Sequence, residues 1–264
     1  MKERIDILIV ERRLAESRVK AQWLIRKGYV SVNKKTIAKP GKRVDNTLEI
    51  HLKKEFPFVG RGGLKLEAAL KNFSISVENK VCVDIGASVG GFTDCLLKHG
   101  AKKVYAIDKA TTLLHPSLQC EKIKGKVIPK LGIDARNLIK LKENVDICTI
   151  DITFASLKEI LPNVKYFLKD DGDIIALVKP LFETEYQGET KFRIINDHEH
   201  LNKILKNLIQ WSLTNQFYPC QIINSPNLGK KGSIEFFIHF KLEKPSLNLD
   251  YNKNIDELLK GKNN

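Results

Sequence analysis

The sequence has few cysteines, and none of them form a closely spaced pair. Five are scattered along the 264 residues, at Cys82, Cys95, Cys120, Cys148 and Cys220. Zinc sites built on cysteine use short CxxC-type spacings, and small secreted domains rely on disulfide frameworks, so this pattern excludes both classes. Cys82 and Cys148 also fall in segments predicted to be buried strands. The cysteines therefore indicate reduced thiols, a cytoplasmic protein and no metal site.

Long apolar segments are also missing. No apolar run occurs near residue 1, and no stretch approaches the ~18 apolar residues that a membrane span requires. We therefore expect neither a signal peptide nor a contact with the membrane.

Positive charge is abundant but uneven. The chain has 45 Lys and Arg against 31 Asp and Glu, a net charge of +14. Residues 1–60 alone hold 15 basic and 7 acidic residues, a net charge of +8. A net charge of this size points to a polyanionic partner such as nucleic acid. The first quarter of the chain is therefore the predicted basic module, and we interpret the lysines of the remainder as ordinary solvated residues.

The most informative stretch is 81–98. Residues 81–85 are an apolar, β-branched run typical of a buried parallel strand, and 92–98 is predicted to be helical. Gly86, Gly90 and Gly91 separate the two. Glycines at such a turn let a ligand approach the backbone and meet the free N–H groups of the helix start.

The spacing of these glycines differs from that of a dinucleotide site. The GxGxxG fingerprint would place glycine at position 88, where the chain has Ser88. Asp84, two residues before the first glycine, would repel a pyrophosphate and attract an ammonium group. The pattern favours a cationic, amino-acid-bearing cofactor such as S-adenosylmethionine (SAM), and a side chain at Gly86 or Gly90 should then displace it. A strand, turn and helix without a ligand is the plain alternative.

The chain is predicted to contain two domains. Residues 1–54 form a small α+β unit, in which Ser17 caps a helix that Gly28 ends and a basic loop at 34–43 lies between two strands. Residues 55–63, rich in glycine, are the natural linker. The second domain covers 64–242, and the tail 243–264 is expected to be loosely ordered.

Strands and helices alternate through the second domain, which predicts an α/β fold with a doubly wound sheet. Seven segments are strand-like, at 81–85, 104–107, 126–129, 145–150, 173–178, 216–224 and 234–241. Helices are expected at 156–168, with a kink at Pro162, and at 201–213, and 182–197 is a predicted loop or lid. Ligands bind at the carboxyl ends of the strands in such sheets. Asp108, whose carboxylate suits ribose hydroxyls, is expected at one of these ends.

Four ionisable residues stand out by their positions. Asp151 and Lys179 follow neighbouring predicted strands, and Glu235 lies in an apolar strand where a lone charge requires a partner. Lys65 begins the helix expected to pack near the same edge. Two ordinary salt bridges at strand ends are the alternative to a catalytic group.

The first domain resembles the αL RNA-binding domain found in a small-subunit ribosomal protein, pseudouridine synthases and tyrosyl-tRNA synthetases. The resemblance rests on Arg4-Ile-Asp6, Leu14-Ala-Glu-Ser-Arg18, Leu24-Ile25, Gly28-Tyr-Val-Ser-Val-Asn33 and Lys39-Pro-Gly41. It implies that basic side chains bind RNA, with candidates at Arg4, Arg18, Lys20, Arg26, Lys27, Lys34 and Lys35. Arg13 and Lys34 stand where that domain usually has glycine, so positive φ angles are expected at both.

The longer pattern is similar to the TlyA family, whose members are rRNA 2′-O-methyltransferases sometimes labelled haemolysin A. Six motifs occur in order: Arg61-Gly-Gly-Leu-Lys65, Asp84-Ile-Gly-Ala-Ser-Val-Gly-Gly-Phe92, Asp151-Ile-Thr-Phe-Ala-Ser-Leu157, Val178-Lys-Pro-Leu-Phe-Glu183, Ser225-Pro226 and Gly232-Ser-Ile-Glu-Phe236. The resemblance implies an αL domain joined to an FtsJ/RrmJ-type methyltransferase domain with a mostly parallel, seven-stranded Rossmann-like sheet. It further implies a monomer that acts on cytidines of small- and large-subunit rRNA.

The resemblance also assigns roles to residues. The SAM motif falls on Asp84, Gly86, Ser88, Gly90, Gly91 and Phe92, and we expect Asp84 at the methionine end, Asp108 at the ribose and Asp134 at the adenine amine. The catalytic tetrad falls on Lys65, Asp151, Lys179 and Glu235. A 2′-hydroxyl becomes a good nucleophile only when a base takes its proton, and Lys179 can do so in its neutral form.

Two other functions compete with this hypothesis. One is a non-catalytic RNA-binding protein whose methyltransferase domain only maintains the fold. The other is the membrane-lysing protein suggested by the haemolysin label, which would need an apolar span, an amphipathic basic helix or export. The complete tetrad and glycine turn favour the enzyme.

Overall fold

A computed structural model of the chain describes residues 1–184, 195–229, 232–245 and 250–261. These residues form two compact units, Met1–Arg61 and Gly62–Asn264. The boundary lies near the predicted linker, but 55–61 belong to the first unit. There the ring of Phe56 lies 5.0 Å from that of Trp23, and Phe58 is buried, so this segment is packed.

The first unit contains two helices and two small sheets. Helix α1 is Ile5–Glu11 and helix α2 is Arg18–Arg26, with Ser17 as its N-cap as predicted. Strand β1 (Lys2–Arg4) pairs with β4 (Arg43–Asp45), and β2 (Val30–Val32) pairs with both β3 (Lys35–Ile37) and β5 (Ile50–Leu52). The core is formed by the apolar faces of the two helices and the inward residues of the strands.

The predicted basic loop at 34–43 is wrong in part, because 35–37 form strand β3. Asn33 and Lys34 have φ angles of 49° and 64°, which are the left-handed values of a two-residue hairpin turn. Arg13 also has a positive φ, 58°. The expected positive φ angles at Arg13 and Lys34 are therefore confirmed.

The second unit is built on a seven-stranded sheet, as predicted. Its strands are β6 (Val81–Ile85), β7 (Lys103–Asp108), β8 (Val127–Leu131), β9 (Val145–Ile150), β10 (Leu168–Val178), β11 (Tyr218–Asn224) and β12 (Phe236–Lys241). Their order is β11-β12-β10-β9-β6-β7-β8, and β12 alone runs opposite to the other six strands. The chain changes direction across the sheet between β6 and β9, where doubly wound folds bind ligands.

Helices cover both faces of this sheet. They are α3 (Gly62–Phe73), α4 (Gly91–Lys98), α5 (Leu157–Val164), the single turn α6 (Pro180–Glu183), α7 (His198–Thr214) and α8 (Tyr251–Lys260). Alternate residues of β6 point to opposite faces. Val81, Val83 and Ile85 join the large core beneath α5, α7 and α8. Among the described residues no helix is long and apolar enough to cross a membrane.

Two further expectations need correction. The predicted helix at 156–168 ends at Val164, because Leu168 already pairs with Val145 as the first residue of β10. The tail is not loosely ordered where it is described: α8 buries Ile255 and Leu259 in the main core. Residues 246–249 and 262–264, and 185–194 of the predicted lid, lie outside the described residues.

Candidate active site

Sheet pairing brings three of the four tetrad residues to neighbouring strand ends. Val178 pairs with Phe236, so Lys179 and Glu235, the next residues outward, lie across from each other. Asp151 follows β9, which pairs with β10 on one side and with β6 on the other. The predicted grouping at one edge of the sheet is therefore present.

Lys179 and Asp151 form an ion pair. Lys179 Nζ lies 2.5 Å from Asp151 Oδ1, and the side chains are 16% and 24% exposed. Asp151 Oδ1 accepts no aligned hydrogen bond from any residue that the structure describes. The contact is therefore an ion pair whose alignment is poor for a hydrogen bond.

Lys65 and Glu235 form a second, more deeply buried pair. Lys65 Nζ donates to Glu235 Oε2 at 2.5 Å, and their side chains are 13% and 5% exposed. Lys65 lies in the first turn of α3, so this contact fixes the start of that helix beside the end of the sheet. A Cβ at Gly229 would lie 2.0 Å from Glu235 Oε1, so the chain also packs closely against the carboxylate from the loop before β12.

The glycine turn lies directly beside Asp151. Gly86 has φ +85°, and a Cβ there would lie 2.3 Å from the Asp151 carbonyl oxygen. Ser88 also has a positive φ, 50°, and its N–H donates to Asp108 Oδ2 at 2.6 Å. A substituent at Gly86 would therefore strike the protein itself, so the expectation that it only displaces a ligand needs correction.

A cavity of about 550 Å³ opens at this turn. Its lining includes Gly86, Ser88, Asp108, Asp134 and Asp151. Four of the five cofactor contacts predicted outside the helix start therefore line this cavity, together with the catalytic candidate Asp151. Apolar walls are provided by Ile107, Leu113, Ile133, Ile152 and Ile160. The volume and the mixture of apolar walls with a few polar groups are typical of a small-molecule site.

Asp108 and Asp134 already have protein partners. Asp108 Oδ1 accepts from the Ala110 N–H at 2.8 Å in addition to the Ser88 contact. The Asp134 carboxylate accepts from the Arg136 guanidinium at 2.6 Å and lies 3.4 Å from Lys109 Nζ. Arg136 in particular holds the pKa of Asp134 well below its usual range. Both groups are therefore fixed acceptors at the cavity wall.

Asp84 lies behind the cavity. Its carboxylate is fully buried, accepts from the hydroxyls of Thr93 at 2.6 Å and Thr149 at 3.2 Å, and is not among the cavity-lining residues. Burial raises the pKa of Asp84 to about 7, against the opposing effect of the Thr93 hydrogen bond. Asp84 thus connects the turn to the start of α4 and to β9, and its contact with the methionine end of the cofactor stays a prediction.

Gly90, Gly91 and Phe92 also serve packing. Gly90 has φ +93°, and a Cβ there would lie 2.2 Å from Leu118. A Cβ at Gly91 would lie 3.1 Å from the Gly63 nitrogen, so Gly91 lets α3 and α4 meet closely. The Phe92 ring stacks 6.1 Å from Phe237. None of the three lines the described cavity.

Two residues at this site, Phe154 and Glu183, were given no individual role in the sequence-based prediction. Phe154 lines the cavity, is 66% exposed and has φ 66°, which bulky residues seldom adopt. Glu183 accepts from the Ser156 hydroxyl at 2.6 Å and from the Leu157 N–H at 2.9 Å. Both residues belong to the family motifs given above. Composition and spacing predict neither the positive φ of Phe154 nor a contact between residues 26 positions apart.

In the first unit the candidate RNA contacts differ in accessibility. Arg4 and Arg18 both bond to the buried carboxylate of Asp6, at 2.9 and 3.1 Å, and remain 40% and 54% exposed. Lys20 is buried, lies 2.5 Å from Glu16 and covers the Phe56 ring, so the expectation that it contacts RNA has no support from its geometry. The remaining four candidates are exposed, at Arg26, Lys27, Lys34 and Lys35.

Comparison with known proteins agrees with this geometry. A family model of FtsJ-like methyltransferases matches residues 58–242, and a model of the S4 domain, the expected αL type, matches residues 3–50. Hemolysin A of Brachyspira hyodysenteriae is 38% identical over 240 residues, which are 90% of this chain and 99% of that protein.

The same chain also matches an rRNA-modifying enzyme and a solved structure. The 16S/23S rRNA (cytidine-2'-O)-methyltransferase TlyA of Mycobacterium tuberculosis is 31% identical over 244 residues, which are 91% of this chain and 90% of that protein. A Streptococcus thermophilus protein of known structure that bears the hemolysin name is 34% identical, with a TM-score of 0.70 over 98% of this chain and 95% of that one. The chain therefore belongs to the TlyA family, with an S4 domain followed by an FtsJ-like methyltransferase domain.

Proposed function

We propose that this protein transfers a methyl group from SAM to a ribose 2′-hydroxyl of rRNA. The observation that carries the proposal is the pair of lysine–carboxylate contacts, Lys179–Asp151 and Lys65–Glu235, at strand ends beside the glycine turn. Lys179 lies beside a cofactor-sized cavity that Asp151 lines, so its amine is placed to act as the base for a weakly acidic hydroxyl.

The residues present fit SAM. Gly86 gives the cavity a wall of bare backbone, Asp108 offers a fixed carboxylate to ribose hydroxyls, and Asp134 does the same for an adenine amine. Asp151 supplies a further negative charge at the lining, which suits the cationic end of the cofactor. When bound, SAM supplies an activated methyl group on a sulfonium.

Lys179 is the general base in this proposal. Its neutral amine accepts the proton of the 2′-hydroxyl, and the ribose oxygen then acts as the nucleophile. Asp151 orients the amine through the 2.5 Å contact. Lys65, held by Glu235, adds a positive charge that favours the developing negative charge on the oxygen.

The substrate proposal rests on the first unit and on the relatives. An S4 domain with exposed Arg26, Lys27, Lys34 and Lys35 supplies phosphate contacts. The M. tuberculosis relative is named for cytidine 2′-O-methylation of 16S and 23S rRNA, and we extend that substrate class to this chain. Such a substrate would place the protein in the cytoplasm, and its monomeric state stays a prediction.

The test is methyl transfer to defined RNA. The full chain is incubated with methyl-labelled SAM and either ribosomal subunits or free rRNA, and 2′-O-methyl positions are mapped with and without protein. We expect label on one or a few cytidine riboses, and none on an RNA carrying 2′-deoxycytidine there. Methylation of a base, or SAM binding with no transfer to any of these RNAs, would contradict the proposal; the second outcome would favour the non-catalytic RNA-binding protein.

A further inference from the structure

We infer that Glu183 is a positioning residue that keeps Lys179 and Asp151 in register. Its carboxylate joins two segments that the sheet alone leaves separate. Ser156 and Leu157 follow Asp151 at the end of the loop after β9, and Glu183 follows Lys179 in the turn after β10. The bonds from the Ser156 hydroxyl to Oε2 and from the Leu157 N–H to Oε1, at 2.6 and 2.9 Å, connect these segments directly.

Helix α6 is too short to fix the turn after Lys179 by itself. It has only four residues, Pro180–Glu183, and Lys179 is its N-cap. One helical turn has no stability of its own, since nucleation costs more than the few hydrogen bonds return. Phe182 is buried and anchors one side of the turn. Glu183 anchors the other side to the N-terminus of α5, where a carboxylate is favoured by the helix dipole and by unpaired N–H groups.

The position of the Glu183 carboxylate disfavours its charged form. Burial raises its pKa, although the Leu157 N–H and the Ser156 hydroxyl oppose that shift. Helix α5 already has a complete capping box, in which Ser156 Oγ accepts from the Lys158 N–H and Glu159 accepts from the Ser156 N–H. The box satisfies the Ser156 and Lys158 N–H groups, and Glu183 adds to the cap by accepting from the Leu157 N–H between them. Its separate consequence is to join the turn carrying Lys179 to the loop carrying Asp151.

The catalytic part of this inference rests on the proposed function. Variants of Glu183 and Glu159 test it. Glu183→Ala removes the link, Glu183→Gln keeps one acceptor and the side-chain length, and Glu159→Ala weakens the same helix start without contact to α6. We expect Glu183→Ala to lower the single-turnover transfer rate by about 10²-fold, since displacement of about 1 Å has that effect, with SAM affinity within a factor of two. Glu183→Gln should recover most of the rate, and Glu159→Ala should melt earlier at nearly normal rate.

Amide hydrogen exchange supplies a readout that does not require activity. We expect Glu183→Ala to accelerate exchange in both 152–157 and 181–184, and Glu159→Ala to do so only at the start of α5. A folded Glu183→Ala protein with normal rate and normal exchange would overturn the inference, as would an equal rate loss in Glu159→Ala. If the wild-type protein transfers no methyl group, the proposed function fails, while exchange still decides whether Glu183 couples the two segments.

Discussion

Lys179 is the single residue on which the proposed chemistry depends most directly. We expect Lys179→Ala to reduce the methyl-transfer rate about 10²–10⁴-fold, the usual cost of losing a general base, with SAM and RNA affinities nearly unchanged. Lys179→Arg should not restore activity, because a guanidinium stays protonated at working pH and cannot accept the hydroxyl proton. Single-turnover rates measured beside binding titrations and thermal melts check both variants.

The same strand offers a matched control for Lys179. Lys169 is the second residue of β10 and pairs with Asp146 at 2.6 Å, so Lys169→Ala breaks a similar lysine–aspartate contact at the opposite end of the strand. We expect that variant to keep its transfer rate. If Lys179→Ala instead melts earlier and regains full activity on cooling, the contact with Asp151 is structural and the base assignment is wrong.

Gly86 gives a second test at the residue scale. Its φ is +85°, and a Cβ would lie 2.3 Å from the Asp151 carbonyl oxygen. Gly86→Ala should therefore lower the free energy of unfolding by more than the about 1–2 kcal/mol of left-handed backbone strain alone. Gly125→Ala is the matched control, since Gly125 has φ +83° with nothing within 4 Å of its Cβ. Urea unfolding of both variants checks this prediction. Equal decreases in the free energy of unfolding would show that the Asp151 carbonyl moves aside at little cost.

These residues also show what the sequence could and could not predict about the site. Asp151 and Lys179 were predictable as neighbours because adjacent parallel strands end at one edge of a sheet. Glu235 precedes the antiparallel strand β12, and only the family resemblance grouped it with them. The burial of Asp84 was not predictable in the same way. A strand followed by a turn does not reveal that the hydroxyls of Thr93 and Thr149 will donate to its carboxylate, since Thr149 lies 65 residues away in the sequence.

At the scale of secondary structure, the alternation of apolar segments was enough to predict all seven strands of the large sheet. Helix ends were harder, because they depend on tertiary contacts. Helix α5 stops at Val164 since Leu168 must pair with Val145, and no local signal marks that requirement. Strand β3 was missed for a similar reason: a lysine-rich segment pairs with β2 only once Asn33 and Lys34 adopt left-handed backbone.

Helix α8 is the element for which prediction and structure differ most. The tail composition suggested disorder, yet Leu259 is 3% exposed and lies in the main core. We expect Leu259→Ala to lower the free energy of unfolding by about 2–5 kcal/mol, the range for a buried leucine. Leu228→Ala, at a position 61% exposed, should change it by less than about 0.5 kcal/mol. A melt of Leu259→Ala that matches the wild type would mean that α8 does not stabilise the second unit.

At the scale of the whole molecule, charge is distributed in two basic regions rather than one. Residues 1–60 have a net charge of +8, but 98–142 hold 11 Lys and Arg against 3 Asp and Glu, also a net charge of +8. The composition of the first region alone therefore cannot identify it as the RNA contact. That assignment depends on the S4 domain, and it can be tested by removing equal charge from each region.

The test compares two sets of four substitutions in the full chain. One neutralises Arg26, Lys27, Lys34 and Lys35, and the other neutralises the exposed residues Lys122, Lys124, Lys140 and Lys142, each to Gln. Each phosphate contact contributes about 0.7–0.9 to the slope of log affinity against log salt. If all four residues of the S4-domain set contact phosphates, the variant that lacks them should bind rRNA more weakly. The slope of its log affinity against log salt should decrease by about 3, while its SAM affinity is unchanged. The 122–142 set should keep nearly the wild-type slope, because its lysines are expected to be solvated. Equal losses from both sets would mean that RNA is attracted by overall charge and that the first unit is not its specific anchor.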